Sequence, residues 1–153
     1  MTSQDPFRIL LVEDNEDHAE LIMEILEDAT APVDVRRCVD GEMALACLSR
    51  SRDDPSVHLP DLVLLDLDMP RMDGFQTLAA LKADPRTRRI PVVILTTSRA
   101  RQDVARALDG HANSYVCKTA DFAALEDLLA EVRRYWTQAN LRPGPILDDA
   151  LGV

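Results

Sequence analysis

Leu62-Val63-Leu64-Leu65-Asp66-Leu67-Asp68-Met69-Pro70-Arg71-Met72-Asp73-Gly74 is the stretch on which the fold of this chain turns. Its apolar run has no polar alternation, the mark of a strand buried on both faces in a parallel sheet covered by helices. The run ends on Asp66 and turn residues follow at once. A carboxylate is thereby delivered to the carboxyl end of a strand, the rim at which open α/β sheets bind ligands. The equivalent run Ile9-Leu10-Leu11-Val12 ends on Glu13 and Asp14, and a later one ends on Lys118.

Working outward, Phe7 to Val12 reads as the first strand. Asn15 reads as the N-cap of a helix that opens on Glu16 and Asp17 and repeats apolar residues at Ala19, Ile22, Leu26 and Ala29. Val33 to Cys38 alternates like a more exposed strand, and Asp40-Gly41 leads into a short helix from about Glu42 to Leu48. Ser49 to Pro60 is polar and loop-like. After the central strand, a helix runs from Gly74 through Phe75, Leu78, Ala79 and Leu81 to a stop at Asp84-Pro85. Ile90 to Leu95 is a fourth strand ending on Thr96-Thr97-Ser98. A helix from about Ala100 to Asp109 is expected to bury Val104, Ala107 and Leu108, with Gly110 as its C-terminal stop. Ser114 to Cys117 makes the fifth strand. The last helix, about Asp121 to Gln138, sets Phe122, Leu125, Leu129, Val132 and Trp136 on one stripe. Five β-α repeats with short loops predict an α/β fold, a parallel sheet with right-handed crossovers and helices on both faces.

Composition narrows the function. The chain has 153 residues and 46% apolar side chains, the size of one domain with a full core, and its formal charge of −10 disfavours nucleic acid as a partner. Cys38, Cys47 and Cys117 are odd in number with no metal-type spacing, so buried thiols are expected. With no run of ~20 apolar residues and no leader pattern, a soluble cytoplasmic protein without membrane contact is expected. No glycine-rich phosphate loop follows the first strand.

At the rim, Glu13, Asp14 and Asp66 would meet, faced by Thr96 and Lys118. Three carboxylates repel unless a cation joins them, and a hard-oxygen set suits Mg²⁺, held by Asp14 and Asp66 with Glu13 bound directly or through water. An aspartate beside Mg²⁺ can attack a phosphoryl group, while Lys118 and Thr96 supply fixed charge and a hydrogen bond to the transferred oxygens.

In this order of residues, Glu13-Asp14, Leu65-Asp66-Leu67-Asp68-Met69-Pro70-Arg71-Met72-Asp73-Gly74, Thr96, Tyr115 and Lys118, the chain resembles the response-regulator receiver domain from about Phe7 to Trp136. The resemblance implies a flavodoxin-like fold with strand order 2-1-3-4-5. It implies that Asp66 takes a phosphoryl group from the phosphohistidine of a sensor kinase, and that Asp14, Asp66 and the backbone carbonyl of Asp68 hold Mg²⁺. Thr96 and Tyr115 would form the switch pair that alters the surface near the fourth and fifth helices. The chain would then be a phosphorylation switch rather than an enzyme acting on other substrates. Receivers usually follow the lysine with a cis proline; here Thr119 takes that place, leaving the geometry of the peptide open. Thr119, the Ile90 to Ser98 segment and the longer C-terminus resemble single-domain regulators that partner bacterial phytochromes.

Two other readings compete. Leu65-Asp66-Leu67-Asp68 resembles the Asp-x-Asp motif of haloacid dehalogenase-type phosphatases, but that motif lies on a first strand and Asp66 lies on the third. A receiver-like scaffold that never takes phosphate would normally lack the aspartate or the lysine, and both are present. His18, His58 and His111 are scattered and assigned to surface or helix roles. The domain is expected to span residues 1–138. Residues 139–153 form a tail whose Ile146, Leu147 and Leu151, with Leu128 and Tyr135 of the last helix, would make a homodimer with a second copy. An unidentified downstream protein would read the signal.

Overall fold

The computed structural model describes residues 5–27 and 32–141. In chain order the elements are β1 (Phe7–Val12), α1 (Glu16–Glu27), β2 (Val33–Cys38), α2 (Gly41–Asp53), β3 (Leu62–Leu65), α3 (Gly74–Ala83), β4 (Val92–Thr96), α4 (Arg101–Asp109), β5 (Ser114–Cys117) and α5 (Phe122–Arg134), which runs on into a π-helical turn, Tyr135–Ala139. The strands form one sheet in the order β2-β1-β3-β4-β5, every pair parallel.

The lack of alternation in β1, β3 and β4 has the cause anticipated from the sequence: both faces are covered. Leu10, Val12, Val63, Leu65, Val92 and Ile94 point to one face, where Leu48 of α2, Leu78 and Leu81 of α3 and Ala107 of α4 meet them. Ile9, Leu11, Leu62, Leu64, Val93 and Leu95 point to the other, against Ile22 and Leu26 of α1 and Leu125 and Leu129 of α5. Register brings the strand ends level, since Val12 pairs with both Cys38 and Leu65, Leu65 with Ile94, and Thr96 with Cys117.

Several expectations need correction. The second helix runs to Asp53 rather than Leu48. Its last turns carry no apolar stripe, so they read as loop. They are helical because Ser51 Oγ donates to the Leu48 carbonyl at 2.8 Å and Arg50 and Arg52 oppose the negative end of the helix dipole. The fourth strand starts at Val92, two residues late, since Pro91 has no N–H for the ladder. In α4 only Ala107 is buried, Val104 is half-buried and Leu108 is 49% exposed. Gly110 does follow α4, but with a negative φ; the left-handed residue is His111, at φ 74°. Phe122 stands at the first position of α5, where a side chain leans back past the helix start, and is 53% exposed rather than part of the core stripe. Cys38 and Cys47 are buried, whereas Cys117 is only partly so, and all three are free thiols. Ala29 and residues 142–153, with Ile146, Leu147 and Leu151 of the tail, lie outside the described residues. Among the described residues no helix is long and apolar enough to cross a membrane.

Candidate functional site

Backbone pairing builds the rim. Glu13 N donates to the Cys38 carbonyl at 3.0 Å, Asp66 N to the Val12 carbonyl at 3.1 Å, and Lys118 N to the Thr96 carbonyl at 2.7 Å. Each residue is thereby fixed at the end of its strand by the neighbouring strand. Glu13, Asp66, Thr96 and Lys118 are all buried, while Asp14 and Asp68 are exposed.

The loop after Asp66 is held by α3. Gly74 N donates to the Leu67 carbonyl at 3.1 Å, and a Cβ on Gly74 would sit 2.3 Å from the Asp66 carbonyl oxygen. Only glycine allows this approach of helix to loop. Asp73 and Gln76 then close a reciprocal capping box at the start of α3. The acidic loop after β1 is gripped by an arginine of β2 that sequence reading passed over. Arg37 Nε donates to the Glu13 carbonyl at 3.1 Å and a terminal guanidinium nitrogen to the Asp14 carbonyl at 3.2 Å. Two adjacent arginines in an alternating strand carry no sequence signal that separates Arg37 from Arg36.

The residues predicted to meet do meet. Carboxylate oxygens of Glu13, Asp14 and Asp66 lie within 4.8 Å of one another. Lys118 Nζ donates to Glu13 Oε1 and lies 3.8 Å from Asp66 Oδ2. Burial, opposed by the hydrogen bond from Lys118, raises the Glu13 carboxyl to about 7. Asp68 N donates to Asp66 Oδ1 at 3.4 Å, which sets its backbone beside the acceptor.

The hydroxyl of Thr96 is buried and has no hydrogen-bond partner. A buried orphan of this kind is costly unless a ligand oxygen completes it. A carboxylate trio, an adjacent ammonium and an unpaired hydroxyl together fit a hard cation with a phosphoryl group. Tyr115, half-buried, donates from its hydroxyl to the Ser98 carbonyl at 2.9 Å, and burial raises its phenol. Ser98 Oγ in turn donates to Asp103 of α4 at 2.6 Å. Tyr115 is therefore joined to the loop that carries Thr96 into α4. Among the described residues no peptide bond is cis, so Lys118 meets Thr119 in the trans form.

His18 was not among the expected site residues. It sits in the first turn of α1, a helix position as anticipated, but its Nδ1 lies 3.2 Å from Lys118 Nζ. Its place four residues after Asp14, where α1 leaves the acidic loop, was the available signal.

Residues 9–130 match the response regulator receiver domain. The "Probable methanogenesis regulatory protein FilR2" of Methanothrix harundinacea is 42% identical over 95% of this chain and 93% of its own length. Response regulator Rcp1 of Synechocystis is 34% identical over 92% of this chain and 96% of its own length. The crystal structure of the phosphorylated cyanobacterial phytochrome response regulator RcpA superposes with a TM-score of 0.85 at 36% identity, over 92% of this chain and all of that one. The Mn²⁺-bound form of Rcp1 superposes with a TM-score of 0.83 at 34% identity, over 91% of this chain and all of that one.

Proposed function

The chain belongs to the response regulator receiver family, and from that premise we propose that Asp66 is its phosphoryl acceptor and Lys118 and Thr96 its transfer residues. It is a response regulator, a signalling switch of a two-component system. The observation that carries the residue assignment is the meeting of the Glu13, Asp14 and Asp66 carboxylates within 4.8 Å, with the Lys118 ammonium 3.8 Å from Asp66.

An Asp66 oxygen forms the new bond to phosphorus as the bond to a donor histidine nitrogen breaks, and the departing imidazole takes up a proton. Lys118 draws negative charge on one transferred oxygen, and the Thr96 hydroxyl donates to another, gaining the partner it lacks. Asp14, Asp66 and the Asp68 carbonyl would hold Mg²⁺, with Glu13 bound directly or through water. Mg²⁺ when bound supplies positive charge that offsets the crowded carboxylates and phosphoryl oxygens. The drawn-in Thr96 and the ring of Tyr115 form the switch pair, coupled to α4 through Ser98 and Asp103.

The phosphodonor is a sensor histidine kinase, and likeness to RcpA and Rcp1 makes a bacterial phytochrome the preferred one. Output passes by protein contact to a downstream partner in the cytoplasm. Residues 1–138 form the receiver. A second copy docks through the last helix, by half-buried Leu128 of α5 and by Tyr135, 53% exposed in the π-helical turn that follows, and through the tail, residues 139–153.

Incubation with acetyl phosphate and Mg²⁺, read by intact mass, tests the assignment. One lasting phosphoryl group, lost in Asp66→Asn, supports it. Rapid turnover of phosphate esters would point to a phosphatase, and no reaction to a scaffold. Light scattering at tens of micromolar that shows only monomer, phosphorylated or not, would remove the dimer.

A further inference from the structure

We propose that His18 is a positioning residue for Lys118, a role that rests on Asp66 being the phosphoryl acceptor. An ammonium has three N–H groups and cannot accept a hydrogen bond. Of the three, one goes to Glu13 Oε1, and the second meets His18 Nδ1 at 3.2 Å. The nearest Asp66 oxygen, at 3.8 Å, is within ion-pair range but too far for a hydrogen bond. Lys118 is thus held back by two acceptors from the β1–α1 side, and its third N–H is left for an oxygen arriving between it and Asp66, where a phosphoryl oxygen of the acylphosphate would lie.

Lysine carries its charge on a long stem with many rotamers, so a single tether at Glu13 leaves the ammonium free to swing about that contact. The His18 ring removes this freedom. The side chain of Lys118 is only 6% exposed, so water does not readily take the place of a lost acceptor. An ammonium at this contact requires an unprotonated Nδ1, with the ring proton on Nε2. His18 and Glu13 reach Lys118 from α1 and from the loop before it, 100 and 105 residues away in sequence. The ammonium position therefore reports on how α1 is seated against β5.

Two substitutions separate this role from simple space filling. The His18 ring borders a cavity of about 250 Å³ with Leu21, Phe122 and Leu125. In His18→Leu the volume is kept and the acceptor is lost. In His18→Asn volume is lost, but an amide oxygen stands at the same number of bonds from Cα as Nδ1. The full chain is incubated with acetyl phosphate and Mg²⁺ across a range of donor concentrations, and the mass gain on Asp66 is followed against an Asp66→Asn blank. The expected result is a three- to tenfold fall in the maximal phosphorylation rate for His18→Leu, at little change in half-saturating donor, and a rate within twofold of the parent for His18→Asn.

Equal rates for His18→Leu and the parent, or equal impairment of the two variants, would overturn the proposal. Should His18→Leu fail to fold, nitrogen NMR of the parent decides. An unprotonated Nδ1 whose shift changes in Lys118→Met supports the contact, and a proton on Nδ1 refutes it. A parent chain that takes no phosphoryl group sinks the acceptor reading and this role with it, whereas a parent that is phosphorylated normally while the variants fail the pattern above sinks this role alone.

Discussion

The two halves of the rim are built to different strengths. The acidic half, after β1 and β3, is gripped by Arg37 from β2, closed by the Asp73–Gln76 capping box and wedged by Gly74 against the Asp66 backbone. The hydroxyl half, after β4, carries an unpartnered Thr96 and leads into α4, whose N-cap Ala100 has no side-chain bond and whose only buried residue is Ala107. The difference separates a fixed platform for chemistry from an element that few contacts hold. Elements held by few buried contacts open at the least cost, so α4 is expected to exchange its amides faster than α3.

The comparison can be broken most severely at Gly74. A Cβ there would meet two backbone atoms, 2.3 Å from the Asp66 oxygen and 2.6 Å from Leu67 Cα, neither of which can turn aside. Gly74→Ala is expected to cost about 3 kcal/mol or more, read as a lower urea midpoint. A second test uses pH. The Glu13 carboxyl is raised from 4.5 to about 7 in the fold, so the folded chain holds that proton more tightly than the unfolded one. This contribution is complete below pH 4.5 and lost as pH rises through about 7. Metal-free denaturation curves should show that decline, and Glu13→Gln should flatten it.

Smaller effects sharpen the contrast. Asp73→Ala removes the acceptor for Gln76 N and should cost about 1 kcal/mol by thermal melting. Thr96→Val should do the reverse, raising the stability of the unphosphorylated chain by about 1 kcal/mol, since it deletes a buried hydroxyl without a partner, while slowing phosphoryl uptake. Ala100→Ser offers α4 the cap it lacks and should add roughly 0.5 kcal/mol, with slower hydrogen exchange confined to the first turn of α4. Equal exchange rates in α3 and α4 of the parent would erase the distinction itself.

Much of this was legible in the chain. Unalternated apolar runs at Ile9–Val12 and Leu62–Leu65 are what strands buried on both faces must look like, and a carboxylate or lysine directly after such a run has only the rim to occupy. Periodicity was a poorer guide where a helix only grazes the core. Leu108 and Phe122 satisfy the helical spacing yet are 49% and 53% exposed, because the first lies on the weakly seated α4 and the second at the very start of α5. The polar end of α2 failed for the opposite reason, being held by capping and charge rather than by an apolar stripe.

Hydrophobic pattern and chain order by themselves determined the five β-α units and the rim residues Glu13, Asp14, Asp66, Thr96 and Lys118, since burial on two faces and short connections leave few other arrangements. Only the tertiary structure decided that Arg37 holds the acidic loop, that His18 rests on Lys118, and that the Thr96 hydroxyl is left without a partner. Those facts depend on where side chains from distant segments point once the helices have packed, and spacing along a chain carries no record of that direction.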